Sequence, residues 1–305
     1  MASPDNFISL FFKGLAMGAA NVIPGVSGGT VALITGIYQR LINAIKSCDH
    51  NAIKYFFTGK IKELWQHIDG HFLTAIFAGV VVSILSLARL FEYLLEHYER
   101  YTMAFFFGLI LLSIYYVGKQ VSKWGPSTLL ALAIGTAVAV ATALLAPASE
   151  NPSFWYVFLC GVVAISSMIL PGLSGSFILI IMGNYALILG AISSFNLSVL
   201  LPLALGCGFG LIAFSHFISW IFKHYEDQTL AAMTGFVLGS LVIIWPWKEA
   251  ITRTIEREGK PAKEVVERYV WSWPDFASQD TLIALALIVA GAAAVALMEK
   301  VAGKQ

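Results

Sequence analysis

Two short segments hold most of the side chains and backbone groups suited to chemistry. Residues 21–30 read Asn-Val-Ile-Pro-Gly-Val-Ser-Gly-Gly-Thr and residues 168–177 read Met-Ile-Leu-Pro-Gly-Leu-Ser-Gly-Ser-Phe, so both carry Pro-Gly-x-Ser-Gly in apolar surroundings. Proline lacks an amide donor and clashes with the preceding turn, while glycine accepts irregular backbone; each segment therefore breaks a helix. At membrane depth such a break survives only where protein or a wet cavity satisfies the freed backbone groups. The apolar runs that follow, 31–45 and 178–192, are expected to restart as helices. Their first turns offer N–H groups and a positive dipole end, which suit an anion. Candidate anion ligands are Asn21, Pro24, Gly25, Val26, Ser27, Gly28, Gly29 and Thr30 in one segment. Pro171, Gly172, Leu173, Ser174, Gly175 and Ser176 are their counterparts in the other. Kinked spans with glycines that merely allow close packing are the alternative; duplication of the whole core favours the anion site.

Other polar groups are sparse. Arg89 lies in the apolar run 72–95 with Glu92 three residues on. An intramembrane arginine is costly and faces a cavity, a counter-charge or a ligand, so Arg89 is a further candidate for phosphate; an Arg89–Glu92 pair snorkelling to the headgroups is the competing reading. Tyr38, Asn184, Tyr185 and His216 are secondary candidates, His216 as a packed histidine or a proton carrier. No HExxH and no paired carboxylates in the spans provide for catalysis, so no catalytic residues are assigned and an enzyme is the least supported class. Cys48, Cys160 and Cys207 form no CxxC pair, and neither metal, cofactor nor disulfide is expected.

The elements that position these groups follow from composition. Of 305 residues 58% are hydrophobic and 12% charged, and the mean hydropathy is +0.78, which makes the bilayer the expected solvent. A formal net charge of +1 gives no basic excess for nucleic acid. The N-terminus lacks the pattern of a cleaved signal peptide, so the first segment is expected to remain in the mature protein.

The chain also repeats itself. A slide of 147 positions places Gly14, Pro24, Gly25, Ser27, Gly28, Gly36 and Tyr38 on identical residues, ending with Gly183 and Tyr185. A slide of 127 places His97-Tyr98-Glu99 on His224-Tyr225-Glu226, Gly79 on Gly206, Gly108 on Gly235 and Arg89 on His216. The change of offset assigns about 20 extra residues to the first half, in the lysine-bearing stretch around 48–70.

The expected fold is thus an all-α polytopic membrane protein of two repeats, 1–147 and 148–305. The first holds a broken re-entrant hairpin at about 7–45 and spans at 72–95, 103–121 and 127–147; the second a hairpin at about 154–192 and spans at 198–222, 229–247 and 281–299. Three spans per half is odd, so the repeats are expected to be inverted. Lys46, Lys54, Lys60, Lys62, Lys119, Lys123, Lys223, Lys300 and Lys304 then fall on the cytoplasmic side with both termini. The charged segment 248–280 is expected to form an external amphipathic cap, with Trp245, Trp247, Trp271 and Trp273 at the interface.

Residues 14–38, with the second motif at 170–185, resemble a bacterial membrane family known as PopT and associated with polyprenyl-phosphate transport. The resemblance runs through nearly the whole chain. It implies a flippase that recycles undecaprenyl phosphate, the lipid carrier of cell-wall precursors, across the bacterial inner membrane. It further implies that the phosphate sits at the facing half-helix starts, with polyprenyl phosphate and membrane lipids as partners, a proton or sodium as coupling ion, and a homo-oligomer as an open option. Many members of the family carry Asp where this chain has Asn21, which removes a carboxyl that proton coupling would use. A secondary transporter of a small anion or other small solute would use the same helix starts and is the alternative.

Overall fold

The computed structural model describes residues 6–22, 27–145, 148–257 and 260–302. Pro24, Gly25 and Val26 lie outside the described residues, and of Arg89 and Glu92 only the backbone is described. The apolar runs are helical because hydrocarbon offers no partner to a free peptide group, and a helix satisfies all of them within one segment.

In the first half, α1 (Phe7–Val22) ends at the first Pro-Gly motif and α2 (Gly28–Ile34) restarts beyond it. A turn at Gly36, whose φ of 72° favours glycine, leads into α3 (Tyr38–Lys46). Two short helices, α4 (His50–Phe57) and α5 (Ile61–His67), take up the extra sequence. Three long helices follow: α6 (Gly70–His97), α7 (Glu99–Gly118) and α8 (Pro126–Leu144). The second half repeats the order without the insertion. It runs α9 (Phe154–Ile169), α10 (Gly175–Ile181), α11 (Tyr185–Ser194), α12 (Leu197–His224), α13 (Glu226–Ser240) and α14 (Gln279–Ala302). Gly183, φ 73°, turns α10 into α11 as Gly36 turns α2 into α3.

Among the described residues five helices, α6, α7, α8, α12 and α14, are long and apolar enough to cross a membrane. The pair α10–α11, bent by 117°, makes a sixth if counted as one broken or re-entrant span. The span expected at 229–247 is cut short, because α13 stops at Ser240 and turns occupy 241–244. Pro246 two residues on disfavours a helical residue before it. The structure also departs from the all-α expectation outside the apolar helices. The segment expected to be an amphipathic cap begins with an antiparallel hairpin, β1 (Lys248–Arg257) and β2 (Lys260–Trp271), with Lys248 opposite Trp271. Ile251, Thr252, Thr254, Ile255, Val265, Val266 and Val270 make these segments rich in β-branched residues, which suit a strand better than a helix.

Helix packing is reciprocal between the halves. α1 lies along α6 as α9 lies along α12, and α7 packs on α14 as α13 packs on α8. Glycines allow the closest approaches. A Cβ on Gly79 would strike the carbonyl of Phe11, and one on Gly206 the carbonyl of Phe158. A Cβ on Gly108 would strike the carbonyl of Ile288, and one on Gly235 that of Leu132; Gly291 meets Phe105 as Gly135 meets Ala232. The first pair recurs at the two sequence offsets of 147 and 127, and the last helices correspond at a constant shift, 132 to 288 and 135 to 291. Each half therefore packs its middle long helix on the other half's last helix. Tyr38, Phe72, Ile110, Val117, Met233 and Val237 are fully buried in the core between them.

Candidate functional site

The end of α1 and the start of α2 are tied by side chains. Asn21 Oδ1 accepts from the Gly28 amide at 2.7 Å. Ser27, extended at the N-cap, accepts from the Gly29 amide at 3.2 Å through Oγ, while its carbonyl accepts from the Thr30 amide at 3.0 Å. The first-turn amides that sequence leaves open for an anion are thus taken by the protein's own oxygens, in the manner of a helix cap.

The same segment reaches across to the second motif. Ser27 Oγ donates to the Leu170 carbonyl at 3.4 Å, and Tyr38 Oη donates to the Ile169 carbonyl at 3.0 Å. Thr30 Oγ1 accepts from the Gly172 amide at 3.0 Å. The carbonyls of Ile169 and Leu170 sit at the broken end of α9, where an apolar interior provides no water, so side chains of the first motif serve them instead. Ser27, Thr30 and Tyr38 are buried. Gly172 needs to be glycine twice over, with φ 81° and the Phe236 carbonyl carbon 2.6 Å from the position of a Cβ.

A cavity of about 160 Å³ opens beside this junction. Asn21, Gly28, Gly29 and the Tyr38 ring form one side; Met17, Ile42, Ile45, Ile165, Met168 and Leu211 supply an apolar remainder. Asn21 is exposed and Met168 is 44% exposed, so the cavity mouth lies at these two residues.

The other predicted residues are placed differently. Ser174 caps α10 in position only, its Oγ lying 2.9 Å from Ser176 Oγ, and among the described residues no side chain bonds to the start of α10. Pro171, Gly172, Leu173 and Gly175 are buried, Ser176 is exposed, and Ser174, Gly175 and Ser176 do not line the cavity. Asn184 is buried and its amide is consumed: Oδ1 accepts from the Asn151 amide at 2.9 Å and Nδ2 donates to the Asn151 carbonyl at 2.8 Å. It clamps the chain ahead of α9. Tyr185 is partly exposed at the start of α11. His216 is exposed, with Nδ1 2.9 Å from the Ile212 carbonyl of its own helix, and does not line the cavity. Arg89 lies within α6, Gly70–His97. Among the described residues no group of three His, Cys, Asp or Glu is placed to hold a metal.

Of α3, sequence reasoning named only Tyr38 as a candidate ligand. Gln39, Asn43 and Lys46 are spaced by four and three, which puts them on one helix face. Gln39 and Asn43 line a second cleft of about 320 Å³ together with Ser219, Lys223 and Glu226.

Comparison with known proteins bears on this arrangement. A family described as undecaprenyl phosphate translocase-like matches residues 17–262. The chain is 41% identical over 303 residues to a polyprenyl-phosphate transporter of Vibrio cholerae serotype O1 (strain ATCC 39315 / El Tor Inaba N16961), covering 98% of each chain. It is 32% identical over 253 residues to a polyprenyl-phosphate transporter of Staphylococcus aureus (strain NCTC 8325 / PS 47), covering 77% of this chain and 84% of that one. No solved structure matches. The match begins within α1 and spans both Pro-Gly motifs and all the long helices but the last, and the chain belongs to the undecaprenyl phosphate translocase-like family.

Proposed function

We propose that this protein is a polyprenyl-phosphate transporter of the bacterial cytoplasmic membrane, which moves undecaprenyl phosphate between leaflets. Family membership and the two transporter relatives support the substrate class. The observation that carries the mechanism is the cavity beside the hairpin junction, where a small polar side meets an apolar wall.

In this reading Asn21 Oδ1 stands in for an oxygen of the substrate. A phosphate entering at the mouth displaces it from the Gly28 amide and takes the positive end of α2. The released carboxamide turns its Nδ2 toward the anion. Ser27, Thr30 and Tyr38 remain on the second motif and hold the backbone that the phosphate meets. The tail stays in lipid past Asn21 and Met168. The second motif serves the same purpose from the other side of the membrane, and the uncapped start of α10 supports that role.

The reading includes two inverted-topology repeats, each a re-entrant hairpin (α1–α3 and α9–α11) followed by three membrane helices, with both termini in the cytoplasm. The reciprocal pairing of α7 with α14 and α13 with α8 supports a two-fold relation between the halves, and an odd number of spans per half makes that relation an inversion. A coupling ion, proton or sodium, would supply the driving force.

Titrating a short-chain polyprenyl phosphate into purified protein tests the site. In Gly28→Leu the added side chain begins 2.8 to 2.9 Å from the Asn21 carboxamide and fills the cavity. Affinity should drop at least about tenfold, as expected for loss of a charge-assisted hydrogen bond. A variant that is monodisperse and binds like the parent would make the first motif a packing device.

A further inference from the structure

The second cleft lies along α3, at the end of α12 and the start of α13, the cytoplasmic side in the topology proposed above. Its wall is polar: Gln39 and Asn43 from α3, Ser219 and Lys223 from α12, and Glu226 from α13. Lys46 reaches the same wall, its Nζ 3.3 Å from Ser219 Oγ. Among the described residues neither Lys46 nor Lys223 pairs with a carboxylate; Glu226 instead accepts from Gln39 Nε2 at 3.4 Å. Lys223 and Glu226 line the cleft, and Lys46 adds a second ammonium group beside Ser219.

Ile42 lines both this cleft and the cavity at the hairpin junction. Phe222 faces the cleft from α12 and packs on the Tyr38 ring at 5.8 Å between centroids. Tyr38, Ile42 and Phe222, all buried, are thus a thin apolar partition between two anion-sized spaces. One side presents the Gly28 amide and Asn21; the other presents Lys223, with Lys46 bonded to Ser219 of its wall. The partition joins α3 of the first half to α12 of the second, a contact between halves whose counterpart, α11 against α6, is not among the closely packed pairs of described elements.

We propose that the cleft is a second phosphate subsite, which receives the monoester headgroup of a polyprenyl phosphate at the cytoplasmic leaflet after it passes the Tyr38–Ile42–Phe222 partition. Lys46 and Lys223 bind the phosphate as point charges, and Gln39, Asn43 and Ser219 donate hydrogen bonds to its oxygens. Glu226 opposes a dianion and keeps the site weak enough to release it. The assignment rests on the transport reading above and names residues outside both Pro-Gly motifs.

The test titrates geranylgeranyl phosphate, geranylgeraniol and inorganic phosphate separately into the full chain in detergent. The proteins are the parent, Lys46→Gln/Lys223→Gln, Glu226→Gln, and Lys62→Gln as a charge-loss control outside the cleft. The double variant should lose at least about tenfold in affinity for the lipid phosphate. Lys62→Gln should match the parent, Glu226→Gln should bind more tightly, and the alcohol should bind none of them. Equal affinity of parent and double variant, with the parent binding well, overturns the subsite and leaves the transport reading intact. A parent that binds no lipid phosphate overturns the transport reading itself. Inorganic phosphate binding as tightly as the lipid, and lost in the double variant, assigns the cleft to free phosphate and overturns the headgroup proposal. Unfolding temperatures of all variants within about 2 °C of the parent separate these outcomes from misfolding.

Discussion

Thr30 and Gly172, 142 residues apart, are joined by a hydrogen bond from the Gly172 amide to Thr30 Oγ1 at 3.0 Å. Both groups are buried. The bond fastens the restarted helix of one hairpin to the break in the other, so the two Pro-Gly motifs form one junction.

Thr30→Val keeps the shape and removes the acceptor. A buried amide left without a partner costs about 1–3 kcal/mol. The variant should therefore unfold at a lower temperature in detergent and transport more slowly, whereas Thr30→Ser should recover most of both. Parental stability in Thr30→Val would show that the bond is dispensable.

Gly108 and Gly235 meet the backbone carbonyls of Ile288 and Leu132. Backbone cannot yield as a side-chain end can, so even a methyl group must separate the helices. Gly108→Ala and Gly235→Ala should each destabilise by about 1–3 kcal/mol, the usual cost of overpacking. Thermal unfolding checks it, and Gly118→Ala, which would make only ordinary contacts at 3.6 Å and beyond, is the control.

Tyr98 and Tyr225 end the corresponding helices α6 and α12 and are about half exposed. Inverted repeats put them on opposite faces of the membrane. Tyr98→Cys should react with an impermeant thiol reagent from outside the cell, and Tyr225→Cys only after permeabilisation. The exposed Cys48 must first be replaced by Ser. Labelling of both from one side would refute the inversion.

Asp49 caps α4, accepting from the Asn51 and Ala52 amides at 2.9 and 3.1 Å, and pairs with His67 at 3.0 Å. The Ala52 amide, and then His67, pull its carboxyl down to about 2. A carboxyl with a depressed folded value stabilises above its unfolded value, about 3.9, and loses that contribution as pH falls toward 2. Amide exchange in α4, followed by mass spectrometry, should show constant protection from pH 7 to 5 and a decline below about 4. Asp49→Ala should lower protection across the whole range.

Much of this protein is written in local patterns. Apolar runs that approach the length a bilayer needs fix the membrane helices, because a helix there is the only way to satisfy each peptide group within one segment. Pro-Gly-x-Ser-Gly fixes where two of them break, since proline's missing donor and glycine's freedom act at the residue itself. Gly36 and Gly183 mark the hairpin corners for the same reason. The repeat was legible because duplicated glycines keep duplicated contacts.

What the tertiary structure decided is where each polar group finds its partner. Sequence could not tell that Asn21 would cover the Gly28 amide, or that Asn184 would spend its carboxamide on Asn151 rather than on a ligand. Nor could it tell that Tyr38 would reach Ile169, or that α3 and α12 would bring Lys46 beside Ser219. Those pairings join residues 7 to 173 positions apart. Helix period and hydropathy act over a few residues, whereas a hydrogen bond between distant segments depends on how whole helices pack, and in this protein the packing is set by glycine contacts between the two halves.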